Sequence, residues 1–144
     1  MKKMPELRET SDFSAMLILA RESGLESEHL TGIVSAYGFY LDDKLVGCAA
    51  LKKTDNLFMV ECLAVAEGMR GRGLGRILVA RVEKEAEAIG AKKLWAIARQ
   101  PRFFERIGYR VSTAIDQGTP NNDDCATCPQ FGKSCYPAIV VKDL

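Results

Sequence analysis

The chain is short of net charge, of long apolar runs and of paired cysteines, and each shortage narrows what it can be. Twenty Lys and Arg against nineteen Asp and Glu leave a formal charge of +1, so no overall field draws it to nucleic acid or to an anionic membrane. No stretch approaches the roughly 18 consecutive apolar residues that a membrane-spanning helix needs. Met1-Lys2-Lys3 is followed at once by Pro5, Glu6, Arg8, Glu9 and Asp12, which leaves no apolar core for a secretory leader. A cytoplasmic protein is expected, with no membrane and no nucleic acid among its partners. Five cysteines is an odd number, and in a cytosolic chain it does not suggest a disulfide framework. Internal repeats and linker-like segments are also lacking.

What is present fits one globular domain. The chain has 144 residues, 47% of them hydrophobic and 27% charged, close to the soluble average and enough to bury a core. A short strand around Leu7 and Arg8 precedes a helix capped by Ser11, with Phe13, Met16, Leu17 and Ala20 at helical spacing and Gly24 as its stop. Residues 26–34 read as a second short helix. Strands follow at 37–41 and 45–51, separated by the turn Asp42-Asp43-Lys44. Residues 57–65 are too apolar for a half-exposed strand and belong at the centre of a sheet. A loop at 66–73 opens a helix whose Leu74, Ile77, Leu78, Val82, Ala86 and Ile89 share one face. A strand at 93–98 holds Trp95 as a core residue. A short helix at 102–107 stops at Gly108, and the last strands lie at 109–111 and 138–142. The fold class is mixed α/β: one central sheet flanked by helices, in a single domain spanning residues 1–144. Residues 116–137 form a polar, cysteine-containing insert.

The most informative segment is Arg70-Gly71-Arg72-Gly73-Leu74-Gly75-Arg76. It follows a buried strand and starts an amphipathic helix. Glycines at alternate positions let the backbone approach a ligand, and a helix start offers free N–H groups and a positive dipole end to a phosphate or pyrophosphate. The three arginines add charge-assisted donors. No Gly-Lys-Ser/Thr follows, so this is not a Walker loop, and the spacing is not that of a dinucleotide fingerprint.

Arg70-x-x-Gly73-x-Gly75, coming after Leu63-Ala64-Val65, resembles the acetyl-CoA loop of the GNAT N-acetyltransferases. Phe103-Phe104-Glu105-Arg106-Ile107-Gly108-Tyr109 resembles that family's second signature. Within the family the chain is most similar to N-acetylglutamate synthase-type domains, through Cys62-Leu63-Ala64-Val65, 98–104 and the terminal Val140-Val141-Lys142-Asp143-Leu144. It departs from that branch at Cys135-Tyr136-Pro137-Ala138, where the branch carries basic residues. The resemblance implies an N-acetyltransferase that passes the acetyl group of acetyl-CoA directly to the primary amine of a small molecule such as an amino acid. It implies that Leu63, Ala64 and Val65 meet the pantetheine arm, and that Arg70, Gly71, Arg72, Gly73, Leu74, Gly75 and Arg76 form the pyrophosphate loop. A homodimer is compatible with it.

Where many family members carry a tyrosine as general acid, this chain has Phe104, which has no proton to give. Tyr109, Tyr136, Cys62 or water are the remaining donors, and a thiolate leaving group with a pKa near 8.5 needs little help. Glu61, just before the pantetheine-contacting residues, is the candidate base. The plainer reading of Glu61 is a strand carboxylate paired with a lysine. His29 reads as an exposed helix residue, and Cys48 and Cys62 as buried small apolar residues. Cys125, Cys128 and Cys135 have the spacing C-x2-C-x6-C, which supplies three thiolates for a metal; the fourth ligand would have to be His29, Asp123, Asp124 or a distant Cys, and no metal is assigned. Two other functions remain open. One is a non-catalytic acyl-CoA-binding or sensing module, the other a metal- or redox-responsive domain built on the cysteine tail.

Overall fold

Two tight turns set the first half of the molecule. Asp42 and Asp43 both take positive φ, 50° and 64°, the twist that lets a two-residue loop close a hairpin. Asp55, at φ 51°, turns the chain again. In the computed structural model, which describes residues 4–24, 30–112 and 138–144, these turns join β2 (Ile33–Leu41), β3 (Lys44–Thr54) and β4 (Leu57–Val65) into an antiparallel meander. β1 (Glu6–Glu9) flanks β2, and α1 (Phe13–Glu22) connects them. After β4 the chain crosses through α2 (Leu74–Ala88) to β5 (Lys93–Ala98), which lies parallel to β4. Then come α3 (Pro101–Arg106), the two-residue β6 (Arg110–Val111) and β7 (Ala138–Asp143). The seven strands of the described residues form one sheet in the order β1-β2-β3-β4-β5-β7-β6, so the expected mixed α/β sheet flanked by helices is what forms.

Several local expectations change. The cap of α1 is Asp12 rather than Ser11: its carboxylate accepts the Ala15 N–H at 3.1 Å, the usual way to satisfy a first-turn donor. The second helix does not form where it can be seen. Leu30, Thr31 and Gly32 are not helical, and Ile33 already belongs to β2. Gly32 sits at φ +68° and its carbonyl accepts the Lys53 N–H at 2.9 Å, so the sheet captures this segment early. On α2 the buried row is Leu74, Leu78, Val79, Val82 and Ala86. Ile77 is 46% exposed and Ile89 44%, because Ile77 lies round the far side of the 3.6-residue repeat from that row and Ile89 is past the last helical residue. The last short helix begins one residue earlier than expected, with Pro101 in its first turn, a position that needs no N–H. Tyr109 precedes β6 rather than opening it.

The sheet has two unlike faces. Against one, α2 and α3 complete a continuous core that includes Tyr37, Leu51, Val60, Leu78, Ala96, Phe104 and Val140. Behind it, Tyr109 donates to Glu83 Oε2 at 3.2 Å and Lys142 Nζ donates to the same oxygen at 3.1 Å and to the Ile107 carbonyl at 3.3 Å. Burial and the Glu83 carboxylate push the Tyr109 phenol well above its ordinary range. On the other face, α1 covers only part of the sheet, with Met16, Leu19, Ala20, Cys48 and Cys62 among the buried residues. A separate patch of Met59, Trp95 and Val141 lies beyond it. Trp95 is 2% exposed, a core residue as expected.

Candidate active site

β4 and β5 are neighbours only briefly. They pair at Met59 with Trp95 and at Val60 with Ala96. Beyond that, β3 holds β4 as far as Val65, and β7 holds β5 as far as Ala98. Each strand is pinned from its outer side, so the two diverge. The edge of residues 61–65 that would face β5 has no ladder partner among the described residues. The backbone N–H groups of Leu63 and Val65 on that edge can meet an extended ligand, as in strand addition, while the Val65 carbonyl already accepts from Arg70 and Ser23.

A bulge aims this edge. Ala50 pairs with Glu61 but Cys48 with Ala64, so β4 carries one extra residue opposite Ala49. Cys62 sits at φ +55°, a left-handed conformation that costs a non-glycine residue about 1–3 kcal/mol and persists only when its surroundings enforce it. Both central cysteines enforce it. The Cys48 thiol donates to the Cys62 carbonyl at 3.3 Å, and the Cys62 thiol donates to the Met16 carbonyl of α1 at 3.7 Å. The contact with Cys62, together with burial, pushes the Cys48 thiol far up, which keeps it protonated. The two cysteines are buried as expected, but they act as braces as well as filler.

The glycine loop runs directly on from β4. After one 3-10 turn at Glu67–Met69, Gly71 and Gly73 take φ +79° and +77°. Chain neighbours aside, no atom of the described residues lies within 4 Å of where a side chain would begin at either of them. Gly73 is the cap residue of α2 and makes no side-chain cap, so it leaves the leading N–H groups of the helix without a bond from its own side chain. Gly75 serves packing instead: a Cβ there would come 3.3 Å from Phe103 Cζ. Arg72 and Arg76 are exposed at this helix start. Arg70 turns back, donating from Nε to the Val65 carbonyl at 3.1 Å, and so ties the loop to the strand end.

Glu61 lies on the face opposite α2, since Val60 packs on the α2 side and side chains alternate along a strand. Its Oε2 is 3.8 Å from Lys52 Nζ, and the two side chains are 32% and 20% exposed. The pairing with a lysine anticipated from the sequence is present, at the point where β4 leaves β5. Two of the proton donors considered for the leaving group are engaged elsewhere. Tyr109 is bonded to Glu83 of α2 on the other face of the sheet, and Cys62 points under α1. Phe104 is buried edge-on to both Phe103 and Tyr109. His29, Tyr136, Cys125, Cys128 and Cys135 lie outside the described residues, as does the whole 116–137 insert. Among the described residues no three His, Cys, Asp or Glu side chains gather to hold a metal, and no helix is long and apolar enough to cross a membrane.

Sequence reasoning missed Arg99. It follows β5 directly, is half-buried, and donates from Nη1 to the Gly24 carbonyl just past the end of α1. Its place in Ala98-Arg99-Gln100-Pro101 gave no hint of a partner 75 residues away.

This geometry has close parallels. The chain is 29% identical over 102 residues, 70% of its length, to an uncharacterised N-acetyltransferase of Chlorobaculum tepidum, of which the match covers 65%. It spans less than two thirds of the length of the curated relatives it matches first. Among solved structures it superposes with a TM-score of 0.76 on N-acetylglutamate synthase from Neisseria gonorrhoeae complexed with coenzyme A and N-acetyl-glutamate, at 22% identity, covering 100% of this chain and 36% of that one. A GNAT family acetyltransferase from Elizabethkingia anophelis with acetyl-CoA bound gives 0.71 at 18% identity, over 99% of this chain and 100% of that one. At these identities the superpositions establish a shared fold. The family pattern for Acetyltransferase (GNAT) family matches residues 3–109, a stretch that takes in the bulged strand, the glycine loop and the Phe103–Tyr109 segment, and the chain therefore belongs to the GNAT acetyltransferase family.

Proposed function

We propose that the protein is an N-acetyltransferase that transfers the acetyl group of acetyl-CoA to the primary amine of a small molecule, with amino acids among the acceptors. The observation that carries this reading is the open edge of residues 61–65 running straight into a helix start whose two left-handed glycines face empty space. An extended amide-bearing arm fits the strand edge, and a pyrophosphate fits the N–H groups of residues 72–76. Acetyl-CoA has both parts, and it is the ligand bound on this fold in the Elizabethkingia anophelis enzyme.

Acetyl-CoA supplies an activated thioester with a good leaving group. The chain's own residues do the rest. Leu63, Ala64 and Val65 align the arm, and a free N–H of Leu63 or Val65 donates to the carbonyl oxygen as negative charge develops there. Glu61 takes the proton from the acceptor's ammonium, with Lys52 holding its carboxylate in place. With Phe104 unable to donate and Tyr109 committed to Glu83, water is the proton source for the departing thiolate.

The test begins with Gly73→Glu. Residue 73 has φ +77° and no neighbour near its Cβ position, so the variant adds negative charge where pyrophosphate would lie at modest cost to the fold. Calorimetry with acetyl-CoA is expected to show binding lost in the folded variant, and retained binding overturns the assignment of the loop. Free-thiol release by the parent protein, measured across amino acids, polyamines and peptide N-termini, tests turnover. Binding without thiol release on any amine would identify an acyl-CoA sensor instead.

A further inference from the structure

We infer that Arg99 is the anchor for a carboxylate on the acceptor, so that the amine acetylated belongs to an amino acid rather than to a polyamine. The inference rests on the acetyltransferase reading above and gives its acceptor site a substrate class.

β4 and β5 are parallel, so Val65 and Ala98 end at the same side of the sheet, the side on which the strands have parted. The end of α1 spans that gap. Ser23 Oγ donates to the Val65 carbonyl at 3.5 Å, touching β4. The next residue, Gly24, accepts from Arg99 at the end of β5. Trp95 and Ile97 pack together on the face away from α2, and alternation puts Arg99 on that face too, the one that carries Glu61. The guanidinium therefore stands at the mouth of the cleft, on the side of the proposed base.

Among the described residues its charge is not matched. Arg99 is half-buried, and among the described residues no carboxylate pairs with it. A guanidinium has five donors in a planar fork, and a single carbonyl uses few of them. A partly desolvated charge with spare donors favours an anion, and the planar fork suits a carboxylate best. The phosphates of acetyl-CoA are assigned to the start of α2, on the opposite face of the sheet. An anion on the Arg99 side therefore arrives with the acceptor. Capping α1 is the competing role, and it needs only one donor, which a lysine also provides.

The experiment compares L-glutamate, L-methionine and L-lysine with their α-amides. Binding is measured by calorimetry on protein saturated with coenzyme A, and turnover by free-thiol release. The parent is expected to favour acids over amides by about tenfold or more, the range for a charge-assisted bond to a carboxylate, and Arg99→Gln to bring the ratio within about twofold. Affinity for acetyl-CoA should hold in both. Arg99→Lys keeps the charge and the cap but not the fork, and is expected to fall between. A purely structural arginine would lower the melting temperature of the variants and leave the acid-to-amide ratio alone, which overturns the inference. So does a parent that binds acids and amides alike, or neither. If Arg99→Gln does not fold, the ratio in Arg99→Lys decides in the same way. Acid-selective binding that depends on Arg99, without thiol release, would sustain the anchor and overturn the acetyltransferase reading. Turnover with no preference for acids would do the reverse.

Discussion

The two faces of the sheet are finished to different standards. On the α2 side the core is continuous, and the polar groups behind it satisfy one another, with Tyr109 and Lys142 both donating to Glu83. On the α1 side the apolar surface is split between the Cys48–Cys62 region under α1 and the Met59–Trp95–Val141 patch. Glu61, Lys52 and Arg99 stand on this side with their charges partly sheltered. The contrast separates two tasks on the proposed reading: one face holds the fold together, and the other carries the reaction. Substitutions on the first should cost stability, and those on the second should cost chemistry.

Glu61→Gln is the hardest test of that division. Turnover should fall by about 10²–10⁴ at neutral pH, the usual loss with a general base, while acetyl-CoA affinity and melting temperature barely move. Steady-state kinetics with a thiol readout checks it, and near-normal turnover would return Glu61 to a plain ion pair with Lys52.

The opposite face is probed by Leu78→Ala. Leu78 is fully buried, and its truncation should cost about 3–5 kcal/mol in urea unfolding. Met59→Ala, in the smaller patch, should cost about 2 kcal/mol. Equal costs at the two sites would erase the difference between the faces.

A smaller effect appears in alkali. The folded protein holds the Tyr109 proton above the phenol's ordinary pKa of 10.0. The stabilisation is complete below about pH 10 and declines above it, because the unfolded chain then releases a proton that the folded one keeps. The decline reaches about 1.4 kcal/mol per pH unit for one proton. Tyr109→Phe should remove that proton from the slope of stability against pH between about 10 and 11, at a cost of about 1 kcal/mol at neutrality for the lost bond to Glu83. Parallel slopes in the two proteins would mean that Tyr109 takes no part in the closed network.

Much of the stable face was legible in the sequence. The apolar run of β4, the Asp42-Asp43 turn and the Leu74–Leu78–Val82–Ala86 row are local patterns with local causes. The glycine loop was legible for the same reason, since positive φ at Gly71 and Gly73 is a property of the residues that occupy those positions. The reacting side was less so. Nothing in Glu61-Cys62-Leu63 signals a left-handed cysteine, because the bulge is enforced by Cys48 and Met16 from distant elements. The parting of β4 from β5 is set by what β3 and β7 hold on the outside. Arg99 depends on a carbonyl at residue 24. The helix read over residues 26–34 gives way to β2 by Ile33 because the pull of β3 on the Gly32 carbonyl outweighs the local helical pattern. Where a residue's role comes from a partner far along the chain, periodicity has nothing to report.

β4 and β5 are laced at only two residue pairs, so by hydrogen bonding the sheet is two leaves on a short spine, β1 to β4 on one leaf and β5, β7 and β6 on the other, bridged on one face by the core under α2. A long ligand lying in the fork presses on both leaves near their free ends, where leverage on the spine is greatest. Under the proposed function the cosubstrate in this fork is also a splint, and the protein without it is expected to be the more compliant form.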